Sequence, residues 1–282
     1  MSNRIAFFNG QFIDEAKATL HVSDLSIQRG YGIFDFFRTI EHVPLFLDDY
    51  LDRFYRSAEG MRLPVELDRN KLISVIQELI DQNKIPESGI RLTLTGGYSP
   101  NSYEMALPNF IITQAPLKPP PARWAENGMK LITHEYLRDL PSIKSINYLT
   151  AIWLQEKVQH AGADDLLYYK NSEVSELPRS NFFIITKDDV IVTPAKNILH
   201  GITRMKLLEL ASPHYKIEER TLTLDEVFTA KEAFMTSTTK QLVPITRIDN
   251  NIIGNGRPGN ITTTLNTRFR VLCEEFCHKL TT

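Results

Sequence analysis

The middle of the chain reads Ile143-Lys-Ser-Ile-Asn-Tyr-Leu149, and a helical pattern then runs on to Gly162. Lys144 stands beside apolar Ile143, where an extended segment gives way to that helical pattern. A lysine that is partly buried can lose its proton near neutral pH and attack a carbonyl carbon. Lys144 is therefore a candidate Schiff-base former, although a lone lysine in a sequence is more often a surface residue.

The residues that follow Lys144 strengthen this interpretation. Ser175-Glu176 comes next, and Arg179-Ser-Asn-Phe-Phe183 comes soon after it. The order Lys-Ser-Ile-Asn-Tyr, Ser-Glu and Arg-Ser-Asn-Phe-Phe closely resembles the signature of the class IV, or fold type IV, pyridoxal-phosphate aminotransferases. The resemblance covers nearly the whole chain, from an N-terminal hairpin to a Ser-Thr-Thr turn at 237–239, and it is most specific between Lys144 and Asn181.

Composition and charge argue against several classes of protein. The 282 residues are 42% hydrophobic with a formal net charge of −2, which allows two ordinary cores and gives no basic field for nucleic acid. No apolar run reaches membrane-spanning length, and the N-terminus reads as a strand and a turn, not as a signal peptide. Cys273 and Cys277, on one helical pattern, predict reduced thiols in a cytoplasmic protein, and no ligand cluster predicts a metal site.

Three consecutive prolines, Pro119–Pro121, mark a domain boundary, because they cannot continue a helix or a central strand. We predict a small N-terminal domain at 1–118, a linker at 119–123 and a larger C-terminal domain at 124–282. The resemblance implies an α/β protein, in the two-domain α+β form of fold type IV enzymes, and a homodimer whose active site is completed by a loop of the partner chain.

Local patterns predict the elements that border the site. Asn9-Gly10, between two short apolar runs, predicts a type I′ hairpin. Residues 48–61 and 148–161 have apolar residues at helical spacing. A helix that starts at Thr203 would direct the backbone N–H groups of Ile202 and Thr203 toward an anion.

The resemblance implies pyridoxal 5'-phosphate as the cofactor and a role for each matching residue. Lys144 would bond to the aldehyde carbon of the cofactor and then move the substrate proton, as base and acid in turn. Arg53, within Asp52-Arg-Phe-Tyr-Arg-Ser-Ala58, would bind the phosphate, which a planar guanidinium suits well. Glu176 would pair with the ring nitrogen and keep it protonated. The other implied cofactor-binding residues are Tyr148, Arg179, Ser180, Leu199, Gly201, Ile202, Thr203, Ser237, Thr238 and Thr239.

Two of these residues carry specific expectations. Tyr148 follows Lys144 by one helical turn and would share its face, where it would either donate to the phenolate oxygen of the cofactor or pack in the core. Arg179 stands where small hydroxyl residues are common in the family. We expect Arg179 to form an ion pair with Glu176.

Departures from the family pattern bear on the substrate. D-amino-acid transaminases of the family carry an arginine and a histidine after Ser-Pro to bind the substrate carboxylate, whereas Asn101 and Tyr103 stand at those places here. Branched-chain enzymes show Phe-Glu-Gly-x-Arg, whereas this chain has Phe34-Asp-Phe-Phe-Arg38. We hypothesise that Arg29, from the loop of the partner chain, and Arg91, on a predicted strand, replace the missing pair. The predicted substrate site consists of Arg29, Phe34, Arg91 and Thr239.

Two cations suit a dicarboxylate such as glutamate or 2-oxoglutarate. We therefore favour a D-amino-acid transaminase acting on D-glutamate or D-alanine, with a branched-chain L-amino-acid aminotransferase close behind. Aminodeoxychorismate lyase, which shares the fold and the lysine but eliminates pyruvate, stays open, as does a non-catalytic binding protein on the same scaffold. The expected partners are amino acids, 2-oxo acids and a second copy of the chain, without nucleic acid or membrane.

Overall fold

The computed structural model describes residues 4–281, which fall into two compact units. The first unit contains residues 4–118, 143–147 and 276–281, and the second contains residues 119–142 and 148–275. The units are therefore not two continuous stretches of chain, because the segment around Lys144 belongs to the first unit. The first helix of the second unit begins at Ala122, within the stretch predicted as a linker.

A six-stranded antiparallel sheet forms the body of the first unit. Its strands are β1 (Ile5–Phe8), β2 (Gln11–Asp14), β3 (Gly32–Ile40), β4 (Val43–Pro44), β5 (Ser88–Thr95) and β6 (Phe110–Pro116). Its helices are α1 (Leu25–Arg29), α2 (Leu47–Gly60) and α3 (Arg69–Asn83). The strands lie in the order β2-β1-β6-β5-β3-β4, so β3 and β5, which carry Phe34 and Arg91, are neighbours.

Local sequence explains how this unit forms. Asn9 and Gly10 both have a positive φ, as a type I′ turn requires, and β1 pairs with β2 across them, which confirms the predicted hairpin. In β3, Ile33 and Phe37 are fully buried on one face of the sheet. Helix α2 buries an apolar face, and the ring of its Tyr50 lies 5.7 Å from that of Phe37. This core holds β3 in place, with its alternate residues on the opposite face.

The second unit contains a ten-stranded mixed sheet. Its strands are β7 (Met129–Glu135), β8 (Asp165–Lys170), β9 (Glu173–Val174), β10 (Glu176–Leu177), β11 (Ser180–Ile185), β12 (Ile191–Pro194), β13 (Ile217–Arg220), β14 (Glu232–Ser237), β15 (Gln241–Ile248) and β16 (Asn251–Ile252). Its helices are α4 (Ala122–Asn127), α5 (Leu149–Trp153), α6 (Gln155–His160), α7 (Ile202–Ala211), α8 (Leu224–Phe228) and α9 (Asn260–Thr281), whose last residues belong to the first unit.

The strands of this sheet follow the order β13-β12-β11-β14-β15-β7-β8-β9, with β10 paired to β11 and β16 paired to β15. The pairs β12–β13, β15–β7 and β7–β8 are parallel. Buried apolar side chains of the central strands, among them Met129, Phe182, Met235 and Val243, form the core. The mixture of helices and strands in both units agrees with the predicted α/β class.

The helix predicted at 148–161 is interrupted. It consists of α5 and α6, with Leu154 at the junction, where the backbone has φ −83° and ψ 0°. Leu154 is buried against Ile132 and Tyr168, whereas Trp153 before it is exposed. The break therefore turns one apolar side chain into the core, which the periodicity of the sequence did not predict.

Within residues 4–281, no helix is both long enough and apolar enough to cross a membrane. The same described range contains no group of three or more His, Cys, Asp or Glu side chains that could hold a metal ion. Cys273 and Cys277 are both buried.

Candidate active site

Lys144 lies in an extended segment that pairs with the beginning of β3. The N–H of Phe34 donates to the carbonyl oxygen of Lys144 at 3.0 Å, and the N–H of Ile146 donates to that of Gly32 at 3.1 Å. The N–H of Lys144 donates to Ser57 Oγ in α2 at 3.3 Å. These bonds hold the backbone of Lys144 on the sheet of the first unit, so the half-buried lysine projects from a rigid element.

The expectation that Tyr148 shares a helical face with Lys144 is wrong. Ser145 forms an antiparallel bridge with Ile33, so the segment that carries Lys144 is extended. Helix α5 begins only at Leu149, and Tyr148 occupies its N-cap position. The helical spacing of Lys144 and Tyr148 in the sequence therefore does not describe their geometry.

Three of the predicted residues meet at the ring of Phe34. Lys144 Nζ lies 4.6 Å from the centroid of this ring, and Arg91 Cζ lies 4.3 Å from it. Arg91 reaches Phe34 from β5. The register pairs Phe34 with Thr93, which lies two residues after Arg91 and on the same face of the strand. Cations are attracted to aromatic faces at these distances. The first unit thus brings together the predicted reactive lysine and one of the predicted carboxylate-binding arginines.

Arg53, the predicted phosphate-binding residue, is held by a buried carboxylate. Its Nε donates to Asp35 Oδ2 at 2.9 Å and its Nη2 donates to Asp35 Oδ1 at 2.6 Å. Asp35 is fully buried on β3, and Arg53 is 5% exposed on α2. The guanidinium also lies 5.2 Å from the ring centroid of Tyr50. A bidentate pair of this kind fixes the plane of the guanidinium, so it also limits the directions from which another anion can bind to Arg53.

Arg29 ends the short helix α1 and is exposed. Its Nη1 donates to the carbonyl oxygen of Gln28 at 2.8 Å. The loop that carries it is tied down by Asp24, which is fully buried and accepts hydrogen bonds from Thr95 Oγ1 and Asn109 Nδ2, both at 2.7 Å. Arg29 is therefore an exposed cation on an anchored loop.

Glu176, on β10 of the second unit, is buried and bound on both carboxylate oxygens. Arg138 Nε donates to Oε1 at 2.7 Å, and the backbone N–H of Leu199 donates to Oε2 at 2.9 Å. Arg138 is itself fixed, since its Nη2 donates to the carbonyl oxygen of Pro141 at 2.6 Å. An adjacent cation and a backbone donor both favour the ionised form of a carboxyl group.

The ion pair predicted between Arg179 and Glu176 is wrong. Arg138 takes that place, and Arg179 is exposed in the turn between β10 and β11. No ion pair of Arg179 occurs among the described residues. The residue that follows the turn, Ser180, is buried, and its Oγ has no hydrogen-bond partner in that part of the chain.

The start of α7 is organised as an anion site would be. Its N-cap residue is Gly201, and no side chain caps the first turn, so the N–H groups of Ile202 and Thr203 are not used within the helix. Asn181 Nδ2 donates to the carbonyl oxygen of Leu199 at 2.7 Å, which fixes the approach to the helix. A Cβ atom on residue 201 would stand 2.2 Å from Asn181 Oδ1, so only glycine fits there.

The hydroxyl-rich turn at 237–239 belongs to the same sheet. β14 pairs with β11 so that Thr236 lies opposite Asn181, the residue that reaches Leu199 before α7. Thr236 Oγ1 is buried and, like Ser180 Oγ, has no hydrogen-bond partner within residues 4–281. The N-terminus of α7 thus follows β12 and the hydroxyl-rich turn follows β14, and these two strands flank β11 in the sheet. Ser237 and Thr238 are half-buried there, and Thr239 is exposed.

Comparison with known proteins identifies the family. Residues 32–248 match the family of class IV amino-transferases. The chain belongs to the class IV aminotransferases. It is 30% identical over 266 residues to a D-alanine aminotransferase of Bacillus licheniformis, which covers 92% of this chain and 94% of that protein. It is 31% identical over 276 residues to a Methanocaldococcus jannaschii protein provisionally assigned as a branched-chain-amino-acid aminotransferase, with 94% of both chains covered.

A solved structure supports the same fold. The branched-chain amino acid aminotransferase of Escherichia coli superposes on this class IV aminotransferase with a TM-score of 0.90 and 23% identity, over 96% of this chain and 95% of that chain. The predicted fold type IV α/β class and the predicted transaminase family are thereby confirmed. The relatives do not decide between D-amino acids and branched-chain amino acids, because the two names occur at nearly equal identity.

Class IV aminotransferases use pyridoxal phosphate, and the residues of this chain fit that group. The buried, doubly held carboxylate of Glu176 is an acceptor for a protonated ring nitrogen. The open N-terminus of α7 provides donors for a phosphate. The buried hydroxyls of Ser180 and Thr236 are polar groups that still require partners.

Three residues of this arrangement were missed in the sequence. Asp35 and Arg138 each form the ion pair that holds a predicted site residue, and Asn181 links β11 to the approach to α7. Asp35 stands next to Phe34 in a motif already singled out, and that position was its only signal. Arg138 had none, because its partner is 38 residues away.

Proposed function

We propose that this enzyme is a D-amino-acid transaminase that exchanges an amino group between an amino acid such as D-glutamate or D-alanine and a 2-oxo acid such as 2-oxoglutarate. The observation that carries the proposal is the placement of Lys144 and Arg91 on the ring of Phe34. An arginine on the same aromatic ring as the reactive lysine offers a planar, permanently charged group for a substrate carboxylate.

The loop after Pro100 does not supply such a cation. No lysine, arginine or histidine occurs from Ser99 to Leu117. Asn101 closes a turn instead, because its Oδ1 accepts from the backbone N–H groups of Tyr103 at 3.1 Å and Glu104 at 2.9 Å. The carboxylate-binding role therefore falls to Arg91, and we assign the second cation to Arg29 from a partner subunit in a homodimer.

The residues divide the chemistry between them. Pyridoxal phosphate, when bound, supplies a ring that accepts the electron pair left when the substrate Cα loses its proton. Lys144 removes the proton from Cα and returns it to C4′ of the cofactor. Glu176 keeps a proton on the ring nitrogen, and Arg138 holds Glu176 in its ionised form. The phosphate-binding groups are the guanidinium of Arg53, the N–H groups of Ile202 and Thr203, and the hydroxyl of Thr238.

A branched-chain L-amino-acid aminotransferase is the second candidate. The similarity to a branched-chain enzyme in sequence and in fold favours it. Its amino donors have one carboxylate and an apolar side chain, so, like D-alanine, they would engage one of the two arginines, whereas glutamate would engage both. We expect Cys273 and Cys277, both buried, to be reduced thiols in a cytoplasmic enzyme of either kind.

The test is transamination by the purified protein loaded with pyridoxal phosphate. D-Glutamate, D-alanine, L-glutamate and L-leucine are each supplied with a 2-oxo acid, and the new amino acid is measured. We expect turnover of the D-substrates and little of L-leucine. Preference for L-leucine would support the branched-chain assignment instead, and release of pyruvate from aminodeoxychorismate without amino transfer would support the lyase.

Substitution of Arg91 tests its proposed role in binding the substrate carboxylate. Arg91→Met removes a charged hydrogen-bond donor from the substrate carboxylate, so KM for D-glutamate should rise roughly 10- to 100-fold. Arg56→Met is the matched control, because Arg56 is exposed on α2 and has no role in the proposed site. An unchanged KM in Arg91→Met would contradict the role of Arg91 while leaving the family assignment intact.

A further inference from the structure

Lys240 closes the turn that contains the proposed phosphate-binding hydroxyl of Thr238. Ser237 pairs with Gln241 across the β14–β15 hairpin, so Thr238, Thr239 and Lys240 form the connection. The N–H of Lys240 donates to Ser237 Oγ at 3.3 Å, and Gln241 has a φ of 56°. The shape of this short turn therefore depends on the residue at its end.

The side chain of Lys240 runs back into the second unit. Its Nζ lies 5.4 Å from the centroid of the Trp124 ring and 3.8 Å from Asp165 Oδ2, and the side chain is only 13% exposed. Burial lowers the pKa of this lysine, while Asp165 acts in the opposite direction. A lysine is rarely buried to this extent without a specific charged partner.

The two residues that contact the ammonium group of Lys240 are themselves held by hydrogen bonds. Asp165 opens β8 and is buried, and its Oδ1 accepts from the N–H of Leu166 at 2.9 Å. Its Oδ2 has no hydrogen-bond partner among the described residues, so the ion pair with Lys240 is its nearest compensation. Trp124 is held by its Nε1, which donates to Asp164 Oδ1 at 2.9 Å.

We propose that Lys240 is a positioning residue that fixes the turn at 237–239, through Asp165 and Trp124, in the shape that receives the phosphate of the cofactor. This inference rests on the phosphate-binding role proposed for that turn. Lys240 is not proposed to contact the phosphate itself, because its ammonium group is directed to Asp165. Its effect is to restrict how far the hydroxyls of Ser237 and Thr238 can move.

The experiment separates phosphate binding from general stability. Pyridoxal lacks the phosphate, so the ratio of the affinities for pyridoxal phosphate and pyridoxal isolates the phosphate contribution. Both are measured by absorbance titration of the protein freed of cofactor. In Lys240→Met the ratio should fall about ten-fold, since small displacements of positioned groups have large effects on binding and rate, whereas affinity for pyridoxal should stay unchanged.

Matched variants complete the experiment. Lys231→Met is the control, because Lys231 lies on the surface of the same unit and pairs with exposed Asp189. Asp165→Asn removes the other partner of the ion pair and should lower the ratio as Lys240→Met does. The double variant should lose no more than either single one, because the two residues act as a pair.

The outcomes distinguish this inference from the role of the turn. Thr238→Val removes a proposed phosphate contact directly. If Thr238→Val lowers the ratio and neither Lys240→Met nor Asp165→Asn does, the positioning role of Lys240 is wrong. Equal losses of affinity for both ligands in Lys240→Met would also overturn it, since they would indicate a general structural defect. An unchanged ratio in Thr238→Val would overturn the phosphate role of the turn itself.

Discussion

Each unit contains an arginine–carboxylate pair whose carboxylate is buried, and the two pairs are used in opposite ways. In the first unit Asp35 accepts two hydrogen bonds from one edge of the Arg53 guanidinium, and the arginine is the residue proposed to bind the phosphate. In the second unit Arg138 and a backbone N–H hold Glu176, and the carboxylate is the residue proposed to face the cofactor.

The difference lies in how the proposed cofactor-binding partner is held. Arg53 is gripped by two parallel hydrogen bonds from a single carboxylate, which fixes the plane of the guanidinium. Glu176 is held from two directions by a cation and a backbone amide, which favours its charge. A buried pair adds little net stability, but removing one partner is costly, because the other charge is left without compensation. Each supporting residue should therefore affect a different property of the enzyme.

Breaking the second pair should have the largest effect. Arg138→Met leaves Glu176 buried without a cation, which should reduce stability by about 3–5 kcal/mol and favour protonation of the carboxyl group. A neutral Glu176 would no longer hold the ring nitrogen protonated, so kcat should fall roughly 10²-fold. The measurements are kcat and the pH dependence of the absorbance band of the bound cofactor.

The ratio of affinities for pyridoxal phosphate and pyridoxal should stay the same in Arg138→Met. Arg270→Met is the control, because Arg270 is exposed on α9 in the same unit. A variant that lost phosphate selectivity but kept its kcat and its absorbance titration would show that Arg138 does not act through Glu176.

Breaking the pair of Asp35 and Arg53 should have a smaller effect, and it should change the affinity for the cofactor phosphate and not the protonation of the cofactor ring. Asp35→Asn keeps the shape of the side chain but removes the charge that orients Arg53, at a cost of about 2 kcal/mol in stability. The affinity ratio for the two cofactor forms should fall about ten-fold, because the guanidinium is less well positioned for the phosphate.

Addition of pyridoxal phosphate should stabilise Asp35→Asn less than it stabilises the wild-type enzyme. A ligand stabilises the folded state according to its affinity, and the phosphate contact of Arg53 is weaker in this variant. The rise in melting temperature with pyridoxal phosphate, compared with that of Asp52→Asn on the exposed side of α2, measures this. An equal rise in both variants would argue against phosphate binding by Arg53.

The contrast between these pairs also explains what could be predicted from the sequence. Lys144, Glu176 and Arg53 stand in short motifs, and the periodicity of α2 was visible in its apolar residues, so these features needed only local information. The partners of the site residues did not. Arg179 is three positions from Glu176 and was the obvious candidate, yet Arg138 forms the ion pair from another element. Such contacts depend on how strands are arranged in a sheet, which no local pattern encodes.

The same limit applies to Lys144 and Tyr148. Their spacing fits one helical turn, and only the pairing of residues 144–146 with β3 shows that the lysine lies on an extended segment. Backbone pairing with a distant strand overrode local periodicity there. The reactive residue was thus predictable, whereas the element that positions it was not.

The partly exposed pair of Arg220 and Glu226 in the second unit should have the smallest effect on stability. Glu226 completes the capping box of α8: its Oε2 accepts from the N–H of Thr223 at 3.0 Å, and Oε1 lies 2.7 Å from Arg220 Nη1. Burial raises the pKa of Glu226, but the hydrogen bonds from Thr223 and Arg220 outweigh it, so the pKa lies below its usual 4.5.

Glu226→Gln should therefore reduce stability only slightly, by about 0.5 kcal/mol at neutral pH, without any change in kcat or in cofactor affinity. A lowered pKa stabilises the folded state above the unfolded-state pKa, and this stabilisation is lost as the pH falls through the folded-state pKa. The difference in melting temperature between Glu226→Gln and the wild type should thus be constant above pH 5. It should shrink toward zero as the pH falls below 4.5. Glu209→Gln, which affects the pair between exposed Glu209 and half-buried Lys206 on α7, serves as the control. A difference that persisted in acid would mean that the carboxylate charge is not what stabilises α8, and that shape alone accounts for the capping box.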